Sequence, residues 1–243
     1  MAFEVESGYV DIGGLRAYRA APRLTVGAEQ ASGMLVLPMV TGIGEQVRAW
    51  VDQLAAEAGC VALAWDTWHG KSSDDTPFDE LRAWNEVLRD DEALDEQTRL
   101  LSYLQDELRL ERVGVIGWCL GGRFALILGG RHATLANVIA FHPTVTLDAG
   151  EEVVNTVERT RQIKAPVFLA YPGKDSIVPW ESFSALQTAL QSRPVAASIV
   201  HLYPEAKHGF SDERRHGEEV NACAYRLSWP QTLAFVRATT VSS

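Results

Sequence analysis

The sequence predicts an α/β fold, a mostly parallel sheet covered by helices on both faces, and three observations carry that expectation. Short apolar runs alternate with amphipathic stretches along most of the chain. The apolar runs are near-continuous rather than alternating, as in strands buried on both faces of a parallel sheet. Polar residues with chemistry to offer fall just after those runs, where open α/β sheets gather their ligands. With 243 residues, 47% of them hydrophobic, the chain can fill one large core, so a single domain over 1–243 is expected.

Residues 8–20 alternate around Gly13 and Gly14, which reads as an N-terminal hairpin at the sheet edge. A strand at 34–37, a helix over 45–57, a strand at 60–65, helical material over 78–107 and a strand at 113–116 follow. A helix over 120–128 leads to a strand at 137–141, which ends at His142 and Pro143. The strand at 167–171 stops at Pro172 and Gly173, because proline offers no ladder donor and glycine frees the turn. A helix over 180–190, a strand at 197–203 and a last helix over about 218–237 complete the pattern.

Composition excludes several function classes. The net charge of −10 is spread through the helical segments and disfavours polyanions, so nucleic acid is not an expected partner. No apolar run approaches the roughly 20 residues that span a bilayer, and the N-terminus has no signal-peptide pattern. A cytoplasmic protein without membrane association follows, as a monomer or small homo-oligomer. Cys60, Cys119 and Cys223 are odd in number and lack zinc or disulfide spacing, so no metal is expected. Cys60 and Cys223 read as packed thiols.

Cys119 is different. It stands in GWCLGG, residues 117–122, directly after the strand at 113–116. That string has the form of the GxSxG elbow, in which small residues permit a sharp strand-to-helix turn and the nucleophile projects above the sheet. The next residue, Leu120, would present its backbone NH at the helix start, where unpaired donors favour a developing oxyanion. A thiol nucleophile needs a base, and the base needs a third group to hold its tautomer. Asp175, in PGKD after the strand at 167–171, and His208, in KHGF after the strand at 197–203, fit those roles in the chain order nucleophile, acid, histidine.

Of the other candidates, Asp148 is a second acid without comparable turn context, and His132, His201 and His216 fall at packing or surface positions. His142, at the end of the strand beside the elbow strand, is expected near the pocket. Trp118 and Phe210 flank catalytic candidates and are expected to line it, within an aromatic set that includes Trp65, Trp68, Phe78, Trp84 and Trp180.

GWCLGG, PGKDSIVP and AKHGF together resemble the dienelactone hydrolase, or carboxymethylenebutenolidase, family, and the likeness runs from about Met34 to the last helix. The resemblance implies an α/β-hydrolase fold, with Cys119 as nucleophile, His208 as base, Asp175 orienting it, and the NH groups of Leu120 and Val40 as oxyanion hole. It also implies an acyl-enzyme cycle on a small ester or lactone substrate without metal or organic cofactor. Two departures stand out. Met39 occupies the place of a glutamate that tunes the thiol in the best-known members, and Asp212 the place of an arginine that binds substrate carboxylate. Arg123 or Arg82 is then the expected source of positive charge, and an aspartate at 212 is expected to repel a carboxylate. The same triad acting on a thioester or other activated acyl compound, or a noncatalytic receptor for a small lactone, are the alternatives.

Overall fold

The computed structural model describes residues 3–23, 32–147 and 153–240. The chain opens with the expected hairpin of β1 (Val5–Ile12) and β2 (Leu15–Pro22), closed by Gly13 and Gly14 at φ 58° and 85°, values that a two-residue primed turn requires. The strands β3 (Ser32–Leu37), β4 (Val61–Trp65), β5 (Arg112–Trp118), β6 (Val138–Phe141), β7 (Val167–Pro172) and β8 (Ser198–Tyr203) complete the sheet. Its order is β1-β2-β4-β3-β5-β6-β7-β8. The hairpin joins antiparallel to β4 at one edge, and every pairing from β4 to β8 is parallel. This is the α/β-hydrolase fold.

Each central strand feeds two cores, because successive side chains leave opposite faces of the sheet. Leu35, Leu37, Val113 and Val115 pack on one face, and Met34, Val36, Ile116 and Trp118 on the other. The first face is covered by α2 (Phe78–Val87), α3 (Asp90–Ser102), α4 (Leu120–Arg131), α5 (Thr156–Gln162) and α6 (Trp180–Gln191). The second is covered by α1 (Glu45–Gln53) and α7 (Glu219–Thr240).

Three elements differ from expectation. The helical stretch over 78–107 is two helices, since Leu88 and Arg89 turn extended (ψ 125° and 132°) before Asp90 starts α3. Both α1 and α3 relax into single π-helical turns, Leu54–Ala58 and Tyr103–Glu107, the first ending at Gly59 with φ 69°. The short α5 is additional; Asn155 caps it by accepting from the Glu158 NH, and seven residues are too few for a periodic signal. Asp148 lies outside the described residues. No helix among the described residues is long and apolar enough to cross a membrane.

Candidate active site

The site is built on the turn from β5 into α4. Cys119 holds φ 52° and ψ −114°, a conformation L-residues rarely adopt and that surrounding contacts must enforce. Its NH donates to the Phe141 carbonyl at 3.0 Å, and its carbonyl accepts from the Thr144 and Arg123 NH groups at 3.1 Å each. The glycines of the elbow have no room for a side chain. A Cβ on Gly117 would lie 2.1 Å from the Gly121 carbonyl oxygen, and one on Gly121 would lie 2.0 Å from that of Leu37.

The sulfur meets an imidazole. His208 Nε2 lies 3.2 Å from Cys119 Sγ, and His208 Nδ1 lies 2.8 Å from Asp175 Oδ2. Asp175 is itself fixed, because its Oδ1 accepts from the backbone NH groups of Ile177 at 2.8 Å and Val178 at 2.9 Å. The His208 and Asp175 side chains are only 6% and 2% exposed. Burial alone would depress His208, but its hydrogen bonds to Asp175 and Cys119 outweigh that effect and push it up to about 9.

Cys119 and His208 open onto a cavity of about 360 Å³ whose walls include Met39, Val40, Thr41, Phe78, Ile177 and Arg215. Met39 and Val40 thus stand at the cavity. The Val40 carbonyl is turned away, accepting from Trp68 Nε1 at 2.6 Å. Leu120 is the first residue of α4, and among the described residues neither its NH nor that of Val40 donates to a protein acceptor. Two NH groups left free at the elbow are the kind of donor that a developing oxyanion needs. Among the described residues no three acidic, histidine or cysteine side chains are grouped as a metal ion requires.

Four expected lining residues lie elsewhere. Trp118 is completely buried beneath the elbow, stacked on Trp50 with ring centroids 4.1 Å apart and packed on Phe141, because its place on β5 points it into the second core. Phe210 is equally buried against Phe141 and His142. His142 is not on the wall but behind it. Its ring meets that of His208 edge-on at 4.8 Å, and its Nε2 is 3.0 Å from Ser211 Oγ. Burial, together with the nearby charges of His208 and Arg215, holds His142 well below the usual imidazole range, so it is neutral. Arg123 turns away from the site into a buried bidentate ion pair with Asp90, whose Oδ2 also accepts from the Val154 NH.

The charges at the mouth also differ from expectation. Asp212 does not confront the cavity as a bare anion, since Arg214 clasps it through Nε at 2.9 Å and Nη2 at 2.7 Å. Arg215, next in the chain, borders the cavity and has no ion pair among the described residues. Arg82 pairs with Glu86 in solvent. Cys60 is a packed thiol whose burial pushes it up to about 12, whereas Cys223 is exposed, not packed. Sequence reasoning did not reach Ile177, which borders the same cavity as Cys119 and whose backbone NH is held by Asp175.

An elbow at a parallel strand's end, a histidine from the loop after β8 and an acid from the loop after β7 define an α/β hydrolase. Residues 15–240 match the dienelactone hydrolase family, and the chain belongs to it. It is a hydrolase of carboxylic ester or lactone bonds. The chain is similar to a carboxymethylenebutenolidase of Rhodococcus opacus, with 28% identity over 219 residues that cover 88% of this chain and 84% of the relative. It is also similar to a probable 2-oxo-3-(5-oxofuran-2-ylidene)propanoate lactonase of a Bradyrhizobium species, with 24% identity covering 94% and 93% of the two chains. Among solved structures, a putative dienelactone hydrolase from Klebsiella pneumoniae shares the fold with a TM-score of 0.82 and 21% identity, covering 96% of this chain and 98% of that one.

Proposed function

We propose that the protein hydrolyses a small carboxylic ester or lactone through a thioester acyl-enzyme on Cys119. The observation that carries this reading is the continuous chain of contacts from Cys119 Sγ to His208 to Asp175 at the floor of an open cavity. The sulfur, its proton transferred to His208 Nε2, adds to the substrate carbonyl carbon. The carbonyl oxygen takes the charge and rests on the Leu120 and Val40 NH groups. As the tetrahedral species collapses, the carbon–oxygen bond breaks and the proton on Nε2 passes to the departing alkoxide. Water then gives its proton to His208 and attacks the thioester, releasing the acid and restoring the thiol. Asp175 accepts from Nδ1 throughout and so keeps that nitrogen protonated, leaving Nε2 as the face that exchanges protons.

The family resemblance and the relatives named as lactonase and carboxymethylenebutenolidase support an ester or enol-lactone as substrate. Arg215 supplies positive charge at the cavity, and with Asp212 neutralised by Arg214 a substrate carboxylate meets no bare anion there. The test is a panel of aryl esters and enol-lactones with wild type and Cys119→Ala, with intact-protein mass spectrometry during turnover. Hydrolysis with a transient acyl mass on the wild type, and loss of both in the variant, is expected. Undiminished turnover by Cys119→Ala would remove the sulfur from the mechanism, and binding without any adduct would favour a receptor.

A further inference from the structure

A second cavity, of about 410 Å³, lies across Ile177 from the first, and no step of the chemistry above uses it. Ile177 borders both. The walls of the second cavity are attached directly to the triad: Thr144 donates its NH to the Cys119 carbonyl, and Ile177 and Val178 donate theirs to Asp175. The remaining lining joins apolar Val145, Leu147 and Pro179 with Thr146, Ser182 and the exposed Glu181 at the rim. Two of these side chains are unusually bare for their type, Ile177 at 59% and Leu147 at 45% exposed. This apolar surface stands exposed beside the cavity that holds Cys119 and His208, so an apolar group that covered it would be held by the hydrophobic effect.

We propose that this cavity is the acyl-chain subsite and that the enzyme acts on esters whose acyl part carries an unbranched or aryl apolar extension. The inference rests on the ester-hydrolase reading of the triad and deepens it. The two arms of an ester are distinguished by chemistry. The leaving alkoxide must collect a proton from His208, and His208 faces the first cavity, where Arg215 and the open mouth receive a polar or anionic alcohol. The acyl arm stays on the sulfur after the alcohol has left and needs a berth that leaves His208 open to water. Passing over Ile177 into the second cavity supplies it. An apolar arm seated there also keeps the thioester carbonyl directed at the Leu120 and Val40 NH groups during deacylation.

The experiment compares two substrate series: p-nitrophenyl esters from acetate to hexanoate, and acetates of alcohols of rising length. Wild type, Thr146→Trp and Leu147→Asp are assayed; both substitutions fall at exposed positions on the second cavity and outside the catalytic groups. In wild type, kcat/KM should rise about fourfold per acyl methylene, the yield of burying one such group, and stay flat in the alcohol series. Each variant should lower hexanoate by at least about tenfold while leaving acetate within about twofold. The proposal is overturned if the length dependence appears in the alcohol series, or if it is flat in both. It is equally overturned if the variants scale all acyl lengths alike. In each of those outcomes the Cys119-dependent turnover itself persists, whereas a lack of such turnover on every ester removes the triad reading and the subsite together.

Discussion

Asp175→Asn tests the triad at the group whose surroundings leave the substitute least freedom. Asparagine has the shape of aspartate, but its two terminal atoms differ, and the structure dictates which goes where. The Ile177 and Val178 NH groups both point at Oδ1, at 2.8 and 2.9 Å, so the amide oxygen must remain there. The amide NH2 is then directed at His208 Nδ1, donor against donor, and the ring can relieve the clash only by moving its proton to Nε2. That nitrogen lies 3.2 Å from the sulfur and would present a hydrogen where it should accept one. The charge that helps push His208 up to about 9 is lost as well; a return to the free-imidazole value costs the imidazolium about 3 kcal/mol. With the wrong tautomer added, kcat/KM should fall roughly a thousand- to ten-thousand-fold, the scale of the same exchange in serine triads. Hydrolysis of p-nitrophenyl acetate from pH 5 to 10 measures it. Iodoacetamide alkylation of Cys119 gives a second readout, made in a Cys223→Ser background because that thiol is exposed. Turnover and alkylation both within tenfold of wild type would refute the assignment of Asp175.

Stability should depend on pH through the same pair. His208 is raised in the folded state relative to its unfolded value near 6.5, so its contribution is complete below about pH 6.5 and is lost as pH rises through about 9. Urea unfolding from pH 6 to 9.5 should show wild type losing up to about 3 kcal/mol relative to His208→Asn over that range, and parallel curves would contradict the pairing. Asp90→Ala should destabilise the fold by about 3–5 kcal/mol, because it leaves the Arg123 guanidinium buried without its partner. A lowered urea midpoint with acetate turnover retained in the folded fraction is expected, since the pair lies off the cavity; unchanged stability would show that Arg123 finds other partners.

The sequence by itself pointed to the order of the strands and to Cys119, Asp175 and His208, the three side chains that the structure brings together. Buried parallel strands must be apolar throughout, and an elbow with no space for a Cβ must be glycine-rich, so both leave local signatures. Gly117, Gly121 and Cys119 could therefore be placed at once, and Asp175 and His208 were legible because strand ends in a parallel sheet converge on one crevice. Tertiary structure alone decided which neighbours of those residues face the substrate. Trp118 adjoins Cys119 in sequence yet points into the core, since successive residues on a strand leave opposite faces. Arg123 is held away by Asp90, a partner thirty-three residues earlier, and Asp212 is neutralised by Arg214 through a turn that no spacing rule reveals. Ile177 reaches the sulfur's cavity only because Asp175 anchors its backbone. Chemistry is carried by short motifs, but a cavity's walls come from side-chain directions and long-range pairings, which exist only once the chain has packed.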